Sequence, residues 1–279
     1  MKVGYAVLYE DGELVISKNH TLLQKKIIKD YGKFEDTDVP WKNETNKIKK
    51  VQILNQVKSN YMKAWFKGCI NLTTLIDFKN LDISDCTDFS SMFGYCQSLQ
   101  DLNGLENWNV SNGTDFSSMF FYCNSLQDIN GLSNWNVSSG KDFFGMFNNC
   151  KSLQDLNILS NWNVSNGEDF SYMFSNCKSL QALNELSNWN VSNGENFSYM
   201  FNNCKSLQDL NALSNWNVSN GTYFNSMFAY CETLKKISLS NTLYILTKDI
   251  FYECNPTLKI HWKNHIYTYE DLLQYEEIY

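Results

Sequence analysis

The chain has 279 residues, 43% of them hydrophobic, enough apolar material for one large core or two modest ones. Its net charge is −7 and every side-chain positive charge is a lysine, because no arginine occurs. Recognition of phosphates and base edges thus lacks its usual bidentate donor, and nucleic acid is not expected as a partner. No stretch approaches the roughly 18 apolar residues of a spanning helix, so membrane insertion is not expected either. The apolar run Val3–Leu8 ends at Glu10-Asp11, too short for a signal peptide, and the absence of a visible export signal makes the cytoplasm the expected location.

Residues 1–60 read as an N-terminal cap. Two alternating apolar runs in GYAVLYEDGELVIS flank Glu10-Asp11-Gly12, the composition of a hairpin turn. The Lys-rich stretch from Leu22 to Tyr31 reads as a short helix. From NYMKAWFKGCINLTTL onward, residues 61–254 read as a solenoid of about seven coils. Cys69, Cys96, Cys123, Cys150, Cys177, Cys204 and Cys231 recur every 27 residues, with Trp, Met and Leu columns keeping the same period from Trp108, Met92 and Leu99. A fixed period of this size means coils that bury their apolar faces only by stacking on one another. Cys254 follows Cys231 after 23 residues, a shorter final coil, and residues 255–279 read as a C-terminal cap.

Within a coil, Leu99, Leu102 and Leu105 suggest a short strand followed by a turn. Asn112-Gly113 suggests a turn in which both residues tolerate positive φ. Phe116, Met119, Phe120 and Cys123, at i, i+3, i+4 and i+7, suggest one face of a short helix. The expected fold is an α/β solenoid, with short parallel strands on one face, short helices on the other, and caps at both ends.

The conspicuous columns read as packing. A cysteine column allows a disulfide ladder, a metal ladder or buried thiols. Parallel Cβ vectors give poor disulfide geometry, and a buried thiol behaves as a small hydrophobe, so buried thiols are expected. His261 and His265 are four residues apart, but their context suggests a hairpin in the cap rather than a metal site. The Asn-Val-Ser triplets beginning at Asn109, Asn136, Asn163, Asn190 and Asn217 read as turn residues whose asparagines hydrogen-bond from coil to coil. No catalytic ordering and no phosphate loop are visible, so neither enzyme activity nor a cofactor or metal is expected.

What remains is surface. The strand face presents Gln100, Asp101, Gln127, Asp128, Gln154, Asp155, Asn157, Gln181, Gln208 and Asp209, with Glu185 at a variable position. The helix side varies at Ser118, Gly145, Tyr172, Tyr199 and Ser226. Gln100 to Asp209, Glu185, Tyr172 and Tyr199 are therefore the expected partner-binding residues, on an extended acidic and polar face.

The units NWNVSNGTDFSSMFFYCNSLQDI and NLDISDCTDFSSMFGYCQSLQDL resemble the W-x-V-S-N-V-T-D-M-S-x-M-F-x-x-C-x-S-L pattern of BspA-like leucine-rich-repeat proteins, from about Trp41 to the end of the chain. Gly113, Gly140, Gly167, Gly194 and Gly221 stand where that pattern has an apolar residue. The resemblance implies a leucine-rich-repeat fold and a non-catalytic protein-binding scaffold, often an adhesin at a cell surface. The alternative is an intracellular inhibitor or effector, encoded by a phage or mobile element, that blocks a host enzyme or defence complex. Either way the expected partner is a protein, and the chain itself a monomer or weak dimer.

Overall fold

The apolar alternation on either side of Glu10-Asp11-Gly12 forms the expected hairpin. Strand β1 (Lys2–Tyr9) pairs antiparallel with β2 (Glu13–Ser17), Val7 opposite Val15 and Leu8 opposite Leu14. The computed structural model describes residues 2–239, 248–262, 265–268 and 271. Beside the hairpin, β2 is continued in parallel by β4 (Lys50–Leu54) and β6 (Thr74–Ile76), the start of the stack, and β5 (Val57–Lys58) pairs in parallel with β7 (Leu81–Asp82).

No helix forms between Leu22 and Tyr31. Strand β3 (Ile27–Glu35) instead runs antiparallel along the outer edge of β1, giving the sheet order β3-β1-β2-β4-β6. Ile27, Ile28, Tyr31 and Phe34 are strand formers, and the open edge of β1 supplies backbone partners along the whole segment, where a short helix would leave the groups of its first and last turns unpaired. The lysines that suggested a helix pair across the surface: Lys25 with Asp11, Lys26 with Glu10, and Lys29 with Glu44. Charges of this kind keep an edge strand from pairing with another chain.

From Met62 onward the coils lie in register. One column of rings runs through Phe66, Phe93, Phe120, Phe147, Phe174, Phe201, Phe228 and Phe251, successive centroids 5.5–5.7 Å apart. A second runs from Phe89 through Phe116, Phe143, Phe170, Phe197 and Phe224 at 5.3–5.7 Å. Each indole N–H of Trp108, Trp135, Trp189 and Trp216 donates to a carbonyl 30 residues earlier, in the preceding coil. Among the described residues Trp162 Nε1 has no such acceptor. Full burial of each ring contributes on the order of 1.5–3 kcal/mol, and none of these residues can be buried by its own coil.

The expected short helices are absent between residues 2 and 239. Phe116–Cys123 forms two consecutive four-residue turns. Met119 N–H donates to Phe116 O and Cys123 N–H to Phe120 O, with Ser118 and Tyr122 at φ +55° and +60°. Positive φ at the third residue is the signature of a type II turn. Two such turns place residues 1, 4, 5 and 8 inward, so the i, i+3, i+4, i+7 pattern is met without a helix. Alternate N–H groups point along the stack: Phe89, Ser91, Phe93 and Tyr95 donate to Asp115, Ser117, Met119 and Phe121 at 2.6–2.9 Å. The backbone is thereby satisfied between coils, as a buried ladder requires.

The leucine segment is corrected as well. In the middle coils it forms no strand but short 3-10 turns, Asn130–Leu132, Asn157–Asn161, Asn184–Asn188 and Asn211–Asn215. Spacing of three is the period of a 3-10 helix, in which i and i+3 lie one above the other. Parallel pairing survives as single bridges along a different column, Asp88, Asp115, Asp142, Asp169, Asn196 and Tyr223, and within the leucine segment only between Asp209 and Lys236 among the described residues. Strand geometry returns at the end of the stack, where β8 (Lys236–Leu239), β9 (Lys259–Trp262) and β10 (His265–Thr268) form a sheet, β9 and β10 antiparallel as the expected hairpin. The tail beyond residue 271 lies outside the described residues.

Two turn assignments change. Gly113 and Gly140 do not sit at positive φ; they are there for space. A Cβ on Gly140 would lie 2.5 Å from Phe143 Cζ and 3.0 Å from Val137 O. The first asparagine of Asn-Val-Ser does not bridge coils. Asn109 and Asn163 accept from Ser111 and Ser165 N–H two residues on. The coil-to-coil ladder belongs to the next asparagine, with Asn166 and Asn193 donating to Ser138 and Ser165 carbonyls at 2.7 Å.

Candidate functional site

All nine cysteines are buried and unpaired, as expected of packing residues. Each thiol from Cys96 to Cys231 donates to a Phe carbonyl of the preceding coil at 3.2–3.3 Å. Burial pushes the Cys123 thiol up to about 12 and Cys150 well above its usual range. Thiolate is the reactive form, so the native chain is expected to resist alkylation at pH 8 and to expose all nine thiols in denaturant. Mass spectrometry after iodoacetamide treatment reads this directly, and rapid labelling of Cys150 in the native state would contradict it. His261 is aligned with Ile266 across the terminal hairpin, not with His265.

The structure divides the expected binding residues between two sides of the coil. Gln100, Gln127, Gln154, Gln181 and Gln208 form an exposed row, with a shallow groove at Gln127, Asp128, Asp155 and Asn157. The aspartates beside them have local work. Asp101, Asp128, Asp155 and Asp209 accept the backbone N–H of Asn103, Asn130, Asn157 and Asn211, the last three turning the chain into a 3-10 segment. Glu185 is half-buried within the turn Asn184–Asn188.

Tyr172 and Tyr199 lie on the turn ladder instead, their rings stacked 4.6 Å apart. Around them stand aromatics the sequence reading passed over. Phe144 packs on Tyr172 at 5.6 Å, Tyr95 stacks on Tyr122 at 5.3 Å, and Phe121 packs against both. From Ser90 to Tyr230 the non-core positions of these turns, two after each Phe, hold only Ser, Gly, Ala, Asn, Tyr and Phe. No charge interrupts them over six coils. Ser171 and Ser175 are themselves buried, while Tyr95, Phe144 and Tyr230 are about two-fifths exposed.

Charges border this strip on both sides. Before it stands the bridge column, where burial and the neighbouring Asp115 and Asp169 push the Asp142 carboxyl up despite the Phe144 amide it accepts. Beyond it stand Lys151, Lys178 and Lys205.

The coil register, the ring columns and the polar sides define a parallel repeat solenoid. The chain belongs to the family described as Mycoplasma protein of unknown function, DUF285, whose model matches residues 60–183 and 124–242. Among solved structures it is similar to a leucine rich cell surface protein from Faecalibacterium prausnitzii A2-165, at 14% identity over 94% of each chain with a TM-score of 0.28. It is also similar to a leucine-rich repeat protein from Eubacterium ventriosum ATCC 27560 (14% identity, 92% of this chain and 90% of that one, TM-score 0.24) and to one from Bacteroides ovatus ATCC 8483 (14%, 95% and 99%, TM-score 0.26). These likenesses are loose, and the solenoid stands on this chain's own register. No curated protein matches. Among the described residues no helix is long and apolar enough to cross a membrane.

Proposed function

We propose that this chain is a non-catalytic protein-binding scaffold, and that its binding face is the uncharged turn strip rather than the Gln and Asp row. One observation carries the reading. The turn ladder demands positive φ at two positions per coil, and glycine or asparagine meets that demand at Gly145, Asn149, Asn176 and Asn203. At Tyr95, Tyr122, Tyr172, Tyr199 and Tyr230 a tyrosine takes the same conformation, φ +58° to +65°. For a bulky residue this costs about 1–2 kcal/mol, so the fold alone favours glycine or asparagine there. Tyrosine among Ser, Gly and Asn is the composition of antibody combining sites, where rigid rings supply contact area and small polar groups adapt.

The expected result is a separation of stability from binding. Tyr172→Asn with Tyr199→Asn should leave the melting temperature unchanged or raised, because relief of two strained residues, about 1–2 kcal/mol each, offsets a lost ring pair of about 0.5–1.5 kcal/mol. The same double variant should lose the cellular partner captured by the tagged parent chain. The variant Gln154→Lys with Gln181→Lys should retain it. Partner loss in the glutamine variant and retention in the tyrosine variant would move the binding face to the Gln row.

A further inference from the structure

We propose that the strip also takes a second copy of this chain, docked strip to strip about a two-fold axis parallel to the solenoid axis. The proposal rests on the reading of the strip as a binding face and names one partner for it. On the two central coils Asp142 and Asp169 stand on one rim, and Lys151 and Lys178 on the other. Among the described residues none of the four has an ion-pair partner. The same surface makes such pairs elsewhere, Lys63 with Asp88, Lys141 with Glu168 and Lys205 with Glu232. The chain therefore leaves two cations, and two aspartates whose Oδ1 atoms accept the Phe144 and Ser171 N–H groups, without a salt bridge on either side of an uncharged aromatic centre.

A two-fold axis along the solenoid turns the strips face to face, keeps coils level and exchanges the rims. Asp142 and Asp169 then face Lys151 and Lys178 of the other copy, and the reciprocal pairs form on the far rim. An axis across the strip would set aspartate against aspartate, which like-charge repulsion disfavours. Aromatic, charge-free centre and charged, hydrated rim are the anatomy of a protein interface. Six coils at about 4.8 Å give a strip about 29 Å long.

Sedimentation equilibrium of the full chain tests this. At micromolar concentration and low salt a dimer is expected, weakening as salt screens the rims. Lys151→Glu with Lys178→Glu makes both rims acidic, and Asp142→Lys with Asp169→Lys makes both basic. Each variant alone should dimerise about a hundredfold more weakly or worse, and an equimolar mixture should recover a mixed dimer. Thiol protection at pH 8 certifies that each variant is folded. A wild-type monomer at hundred-micromolar concentration overturns the proposal, as does a dimer indifferent to charge reversal, or a folded mixture that stays monomeric. A monomer that still loses its cellular partner on Tyr172→Asn with Tyr199→Asn sinks only the homotypic partner. A rim-dependent dimer that captures no other protein sinks instead the reading as a scaffold for foreign partners.

Discussion

Phe147→Ala is expected to destabilise the chain by about 3–5 kcal/mol in urea denaturation, the range for removing a fully buried phenylalanine. Phe147 is completely buried between Phe120 at 5.5 Å and Phe174 at 5.7 Å, so the cavity opens toward both neighbouring coils. The loss should also be local. In a solenoid each coil touches only the next, so stability is carried as a chain of nearest-neighbour terms. The N-terminal end of the stack is further fastened to its cap, with Trp41 Nε1 donating to Trp65 O at 2.7 Å and Trp65 Nε1 to Asp36 O at 3.0 Å. Hydrogen exchange in the variant should therefore rise at the amides of Phe120, Phe147 and Phe174 and stay slow at Trp65 and Val51. Equal acceleration everywhere would mean that the stack unfolds as one unit.

Gly140→Val is expected to cost about 3 kcal/mol, at the upper end of ordinary overpacking. Its Cβ alone would meet the Phe143 ring at 2.5 Å and Phe116 Cε2 at 3.2 Å. The BspA-like pattern has valine at this position and methionine where this chain has Phe143. Large ring with no side chain beneath it, and slimmer thioether with a branched one, are two ways of filling the same volume. The double variant Gly140→Val, Phe143→Met should recover to within about 1.5 kcal/mol of the parent, since volume-conserving exchanges are tolerated best. Thermal melts of both single variants and the double give the coupling directly, and strictly additive losses would show that the two positions do not share a space.

Much of the architecture was legible because the fold is written as repetition. The 27-residue columns located every coil, and the inward places of Cys150, Trp162, Met173 and Phe174 followed from them without knowledge of the path between. Local conformation was less legible because one spacing admits several backbones. Phe116, Met119, Phe120 and Cys123 fit a helix and a pair of type II turns equally well. Gly145 and Asn149, four residues apart, were the available clue, with Asn176 and Asn203 one and two coils beyond Asn149, since these residues tolerate positive φ and are poor helix formers. Leu99, Leu102 and Leu105 carried their own correction, for a spacing of three does not belong to a strand.

The candidate site is half legible. Tyr172 and Tyr199 stand out as variable positions, but Tyr95, Tyr122 and Tyr230 carry no such mark in the sequence, and the aspartates draw attention because charge is conspicuous. Their carboxylates turned out to be turn acceptors. What distinguishes the strip is a lack, six coils without a charge, visible only once the turns show which residues share a side.

The hydrogen-bonded register between coils also bears on heredity. Because each coil offers its neighbour the same backbone donors and the same core rings, removing or adding one whole 27-residue coil preserves the hydrogen bonds and ring stacking at the junction. A lineage carrying such a gene can lengthen or shorten its solenoid in single steps, trying new combinations of surface tyrosines without first passing through a misfolded ancestor.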